Sequence, residues 1–89
     1  MPPKALTSAQ IRAARALIRW RAEDLARESA VGVATIRRAE LVDEETSMTV
    51  ANNMAVRRAL EAAGIEFIEE NGGGPGVRLR KHQRPKSSK

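Results

Sequence analysis

A chain of 89 residues with no cysteine, one histidine and two aromatic residues excludes a disulfide framework, a thiolate metal site and a His-based catalytic cluster. It is long enough for one domain, whose core must come from Ala, Leu, Ile and Val. Sixteen Lys and Arg against 11 Asp and Glu leave a net charge of +5, which favours a polyanionic partner.

No apolar run approaches the ~18 residues that span a membrane. No apolar signal-peptide segment opens the chain. A cytoplasmic protein with no membrane partner is expected.

Residues 1–5 read as a flexible arm carrying Lys4. Leu6 to Trp20 reads as the first helix. Thr7 and Gln10 have the spacing of a capping box, and Leu6 and Ile11 that of a hydrophobic staple. Ile11, Ala14, Leu17 and Ile18 recur on one helical face. Arg12, Arg15 and Arg19 line a neighbouring face, and Trp20 is placed to plug the core.

Arg21 to Ser29 reads as a second helix, with Glu23 and Asp24 at its positive end and Leu25 and Ala26 facing inward. Ala30–Val33 is a tight turn, with Gly32 available for unusual geometry or as an N-cap. A third helix runs to Glu40. Ile36 and Ala39 face inward, and Val33, Ala34, Thr35, Arg37 and Arg38 face solvent. A short helix with one apolar seam and an outward Thr/Arg surface has the size of a DNA major groove. The stretch Leu25–Glu40 thus reads as a helix-turn-helix.

Leu41 to Met48 reads as a loop with Asp43, Glu44 and Glu45 in succession. A fourth helix, capped by Ser47 or Thr49, runs to Ala63 and ends at Gly64. Its inward seam is Val56, Leu60 and Ala63, with Val50 near the start. Asn52 and Asn53 lie early in it, where they either donate to a phosphate or are simply solvated.

The period then changes. Ile65–Ile68 and Val77–Arg80 alternate around the turn-rich Glu69–Gly76, which predicts a β-hairpin over 65–80. Ile65, Phe67, Val77 and Leu79 share one face, and Glu66, Arg78 and Arg80 the other. Residues 81–89 read as a basic disordered tail containing His82.

The pattern Glu23, Leu25-Ala26, Val31, Thr35-Ile36 and Glu40 resembles the Xre-type helix-turn-helix regulators, relatives of the lambda-like repressors and Cro. The likeness covers about Leu6 to Ala63. The ending from Gly64 looks like the tail of short single-domain bacterial members. The resemblance implies a mainly α fold, a four-helix lambda-repressor-like domain over 6–64 followed by a C-terminal β-hairpin. It implies that Val33, Ala34 and Arg38 read bases, while Thr35 and Arg37 touch bases or phosphates. It also implies a structural ion pair between Arg15 and Glu40. Ala22 stands where the family often has a phosphate-binding Gln, and Arg21 is the nearby substitute.

A sequence-specific transcriptional regulator of double-stranded DNA is therefore expected, acting as a repressor and a homodimer. DNA contacts are expected from Arg21, Gly32, Val33, Ala34, Thr35, Arg37, Arg38, Asn52 and Asn53. The hairpin residues Ile65, Phe67, Ile68, Val77 and Leu79 either form the dimer interface or pack on helices 1 and 4. The alternative is a protein-interaction module, an antitoxin or anti-activator on the same fold. No enzyme, metal, cofactor or small-molecule ligand is expected. Gly72–Gly74 lead into Pro75 rather than into a helix, so they are turn residues and not a phosphate loop.

Overall fold

The computed structural model describes residues 5–42 and 48–80. Expectations that fall on Lys4, on Asp43, Glu44, Glu45 and Ser47, and on the tail from 81 lie outside the described residues. Four α-helices are followed by one hairpin: α1 Ser8–Ile18, α2 Ala22–Ser29, α3 Val33–Ala39, α4 Val50–Ala62, β1 Ile65–Ile68 and β2 Gly76–Leu79.

Helix α1 starts at the Thr7/Gln10 box. The Gln10 N–H donates to Thr7 Oγ1 at 3.0 Å, and the Thr7 N–H donates to Gln10 Oε1 at 2.9 Å. The helix stops earlier than Trp20 because Arg19 turns left-handed, with φ 59°. The Trp20 N–H then reaches back to the Arg15 carbonyl at 2.9 Å, and the Arg19 N–H to that of Ala16 at 3.2 Å. These two bonds satisfy carbonyls that would otherwise be stranded at the helix end. Leu17, expected on the inward seam, is instead exposed, while Trp20 packs half-buried against the core.

The turn between α2 and α3 is made by Ala30, which is left-handed at φ 61°. Gly32 is not; its φ of −59° suits any residue, and it serves as the N-cap position of α3. The turn is held by Val31, whose side chain is buried and whose N–H donates to Ser29 Oγ at 3.2 Å.

Helix α4 is capped by Thr49, whose Oγ1 accepts the Asn52 N–H at 3.1 Å. Its inward seam is Asn53, Val56 and Leu60. Val50, expected near the seam, is 70% exposed.

The strands pair antiparallel, with Ile65 opposite Leu79, Glu66 opposite Arg78, Phe67 opposite Val77 and Ile68 opposite Gly76. Gly64, at φ +107°, begins the hairpin, and its carbonyl accepts the Arg80 N–H at 2.7 Å. Strand β2 packs on α1 and β1 on α4. A cross-link comes from Gln10, whose Nε2 donates to the Gly76 carbonyl at 3.0 Å. Arg57 of α4 lies over the Phe67 ring at 4.9 Å and pairs with Glu61 at 3.4 Å and Glu69 at 3.1 Å.

The core joins all of these elements. Leu6, Ile11, Leu25, Ile36, Leu60 and Ile65 are its largest fully buried aliphatic side chains. Each contributes roughly 1.5–3 kcal/mol of burial. Ile65 therefore cannot serve in a dimer interface, because at 0% exposure it belongs to the monomer's own core. Phe67, Ile68 and Val77 are half-buried, and Leu79 remains 49% exposed.

Candidate nucleic-acid interface

Helix α3 packs against α2 and buries Ile36 and Ala39. That anchoring leaves Ala34, Arg37 and Arg38 exposed, with Gly32 exposed just before the helix and Thr35 half-exposed. Val33 is less available than its sequence position suggests, since it packs partly against the core.

The two adjacent guanidinium groups face different surroundings. Arg37 turns toward α2 and hydrogen-bonds Glu23, both side chains remaining about half exposed. Arg38 turns toward α4. With Thr35 and Ala39 it lines an open cleft of about 230 Å³, completed by Met48, Thr49 and Asn52. Among the described residues no carboxylate pairs with Arg38.

The α2 end of the surface carries further charge. The Asp24 carboxylate accepts the Arg21 N–H at 2.8 Å and pairs with Arg27 at 3.1 Å. These contacts, the backbone bond foremost, hold its carboxyl below the usual carboxylate range. Glu23 is also held low, first by its own backbone N–H and then by Arg37 and Arg21. Arg21 is exposed beside them. Ala22 is buried and packs in the core.

Behind α3, Arg15 and Glu40 form a two-pronged pair, with Nε–Oε2 and Nη2–Oε1 both at 2.7 Å. The third arm of Arg15 donates to the Trp20 carbonyl at 2.9 Å. Arg12 donates to the Glu40 carbonyl at 2.6 Å. The end of α3 is thus fixed to α1 by charge-assisted bonds, which are the strong kind.

One expected contact residue does not belong to the surface. Asn53 is 4% exposed, and its Oδ1 accepts the Leu6 N–H at 2.9 Å. It fixes the chain ahead of α1 to α4, so its reading as a phosphate donor is corrected. Its neighbour Asn52 stays in the cleft with Arg38. The partnership of Glu23 with Arg37 had no signal in the sequence. The two sit 14 residues apart on different helices, and only the helix-turn-helix geometry brings them together.

No protein-family model matches this chain, and no curated protein does.

Proposed function

We propose that this protein is a lambda-repressor-like helix-turn-helix regulator that binds double-stranded DNA through α3, as a homodimer and as a repressor. The observation that carries the reading is the two-sided character of α3. It is anchored by buried Ile36 and Ala39 while Thr35, Arg37 and Arg38 point away from the core.

In this reading Arg38 is the principal base reader, because a two-pronged Arg–guanine contact contributes about 1–3 kcal/mol of discrimination. Asn52 and Thr35 flank it in the same cleft, within reach of the neighbouring phosphate or base. Arg21 meets the backbone on the α2 side, and Ala34 and Val33 offer apolar contact only. The net charge of +5, with six basic residues from Arg78 onward, adds salt-sensitive, sequence-independent affinity. One α3 reads few base pairs. A homodimer on half-sites about 34 Å apart doubles the sequence read.

Selection of bound duplexes from a random pool, followed by titration of the winner, tests the reading. Arg38→Ala is expected to bind the selected duplex at least about tenfold more weakly, given ~1–3 kcal/mol per contact. Equal affinity of the two proteins sinks the role of α3.

A second reading is supported by a different observation. Leu41 and Val50 are 82% and 70% exposed on either side of the connection from α3 to α4. Large exposed aliphatic side chains suit a protein partner, as in an antitoxin or anti-activator. Co-purification of one stoichiometric protein, lost in Leu41→Ser/Val50→Ser, supports this reading over the first.

A further inference from the structure

Building on the proposed DNA-binding role of α3, we propose that Glu23 sets specificity by standing in for a phosphate on Arg37 when no nucleic acid is bound. The carboxylate of α2 occupies the Arg37 guanidinium. Both groups are about half exposed, at 57% for Arg37 and 49% for Glu23, so a solvent-borne anion can displace Glu23 without unpacking the core.

The alternative partners are already engaged. Asp24, the other acid in the first turn of α2, is held by the Arg21 N–H and by Arg27. Glu23 is therefore the α2 carboxylate committed to α3. Arg38, one residue along, has no such partner among the described residues and faces the cleft toward α4. Among the described residues the surface is thus asymmetric: one guanidinium has no carboxylate partner, and the other must exchange an internal carboxylate for an external phosphate or base.

That exchange has a definite ionic signature. When a lone Arg neutralises a phosphate, a condensed cation leaves the DNA, and each such contact steepens the salt dependence by about 0.9. While Arg37 stays on Glu23 it neutralises no phosphate, and its share of that slope is missing. Random DNA gives Arg37 little reason to exchange, whereas a matched site positions a partner that does. Glu23 therefore suppresses non-specific binding more than specific binding.

The experiment is the affinity for a random-sequence duplex between about 50 and about 200 mM salt, measured for wild type, Glu23→Gln and Glu23→Gln/Arg37→Gln. Glu23→Gln is expected to bind more tightly, with a log–log salt slope steeper by ~0.9 for each subunit bound to the duplex. The double variant is expected to return to the wild-type slope. A gain that persists in the double variant reflects general removal of surface negative charge and overturns the pair's role. One common slope for all three proteins also overturns it while leaving the DNA reading intact. Binding by none of the three overturns the DNA reading, and this inference with it.

Discussion

Arg15 of α1 and Glu40 at the end of α3 face each other through two hydrogen bonds of 2.7 Å, and the same guanidinium holds the Trp20 carbonyl. The Glu40 side chain is 9% exposed and that of Arg15 is 22%. Removing the arginine strands a nearly buried carboxylate, which is costly. Partial solvent access tempers the loss, so Arg15→Ala is expected to lower the unfolding free energy by about 2–3 kcal/mol. Replacing both partners, as in Arg15→Met/Glu40→Leu, should cost less than the two single changes summed. Urea denaturation of the four proteins measures the coupling. Strict additivity means that the pair does not act as a unit.

Asn53 gives a sharper contrast with its neighbour. Asn53→Ala removes the acceptor for the buried Leu6 N–H and should destabilise the protein by about 1–3 kcal/mol. Asn52 lines the cleft and gives only its backbone N–H to the Thr49 cap, so Asn52→Ala should leave stability within about 0.5 kcal/mol of wild type. On the proposed DNA-binding role the order is expected to reverse in a duplex-binding titration, with Asn52→Ala binding more weakly and a still-folded Asn53→Ala binding as wild type does. A stable Asn53→Ala that has lost DNA affinity contradicts the buried role.

The legible parts of the molecule were those written in local spacing. The Thr7/Gln10 box, the seam of Ile36 and Ala39, and the alternation of Ile65, Phe67, Val77 and Leu79 are short-range patterns, and the folded chain uses each of them. What spacing hides is depth. Asn53 reads as polar and therefore outward, yet it is buried because it satisfies the backbone N–H of distant Leu6, and the capping residue Gln10 is buried too, holding the carbonyl of Gly76. Val50 and Leu17 read as apolar and therefore inward, yet the core is filled without them. The same limit applies to the left-handed turns. Gly32 advertises one, but Ala30 adopts it, because buried Val31 and the Ser29 hydroxyl fix the following backbone.

Acid should weaken the fold in a defined window. Glu66 is held below its ordinary value by the Arg78 hydrogen bond and charge, Asp24 by the Arg21 N–H and Arg27, and Glu23 by its own N–H and Arg37. A carboxyl depressed in the folded state binds fewer protons there than in the unfolded chain. Its stabilisation is therefore complete above the ordinary values, 4.5 for Glu and 3.8 for Asp, and is lost as pH falls through the depressed folded value. All three groups are at least partly exposed, so each contribution is small and is further screened by salt. Denaturation curves should be flat from about pH 7 to about pH 5 and fall below that. Asp24→Asn should flatten the fall and lower the pH 7 plateau, because the amide is a poorer acceptor for the Arg21 N–H. A fall as steep in Asp24→Asn as in wild type rules out its share.

The hairpin separates folding from assembly. Ile65 lies in the core, whereas Leu79, directly across the ladder, is 49% exposed. Cutting the chain at Gly64 would expose the core and report on folding rather than on dimerisation. Ile65→Ala is expected to cost about 2–5 kcal/mol of stability, as buried truncations do. Leu79→Glu places a charge at the rim of the apolar face and should change stability by no more than about 0.5 kcal/mol. If a second copy covers this face, Leu79→Glu converts the dimer to monomer in sedimentation velocity at concentrations where wild type is dimeric. It also weakens duplex binding, because one α3 then reads half the site. A Leu79→Glu protein that sediments as the wild-type dimer moves the interface elsewhere on the molecule, and a monomeric wild type removes the homodimer from the proposal.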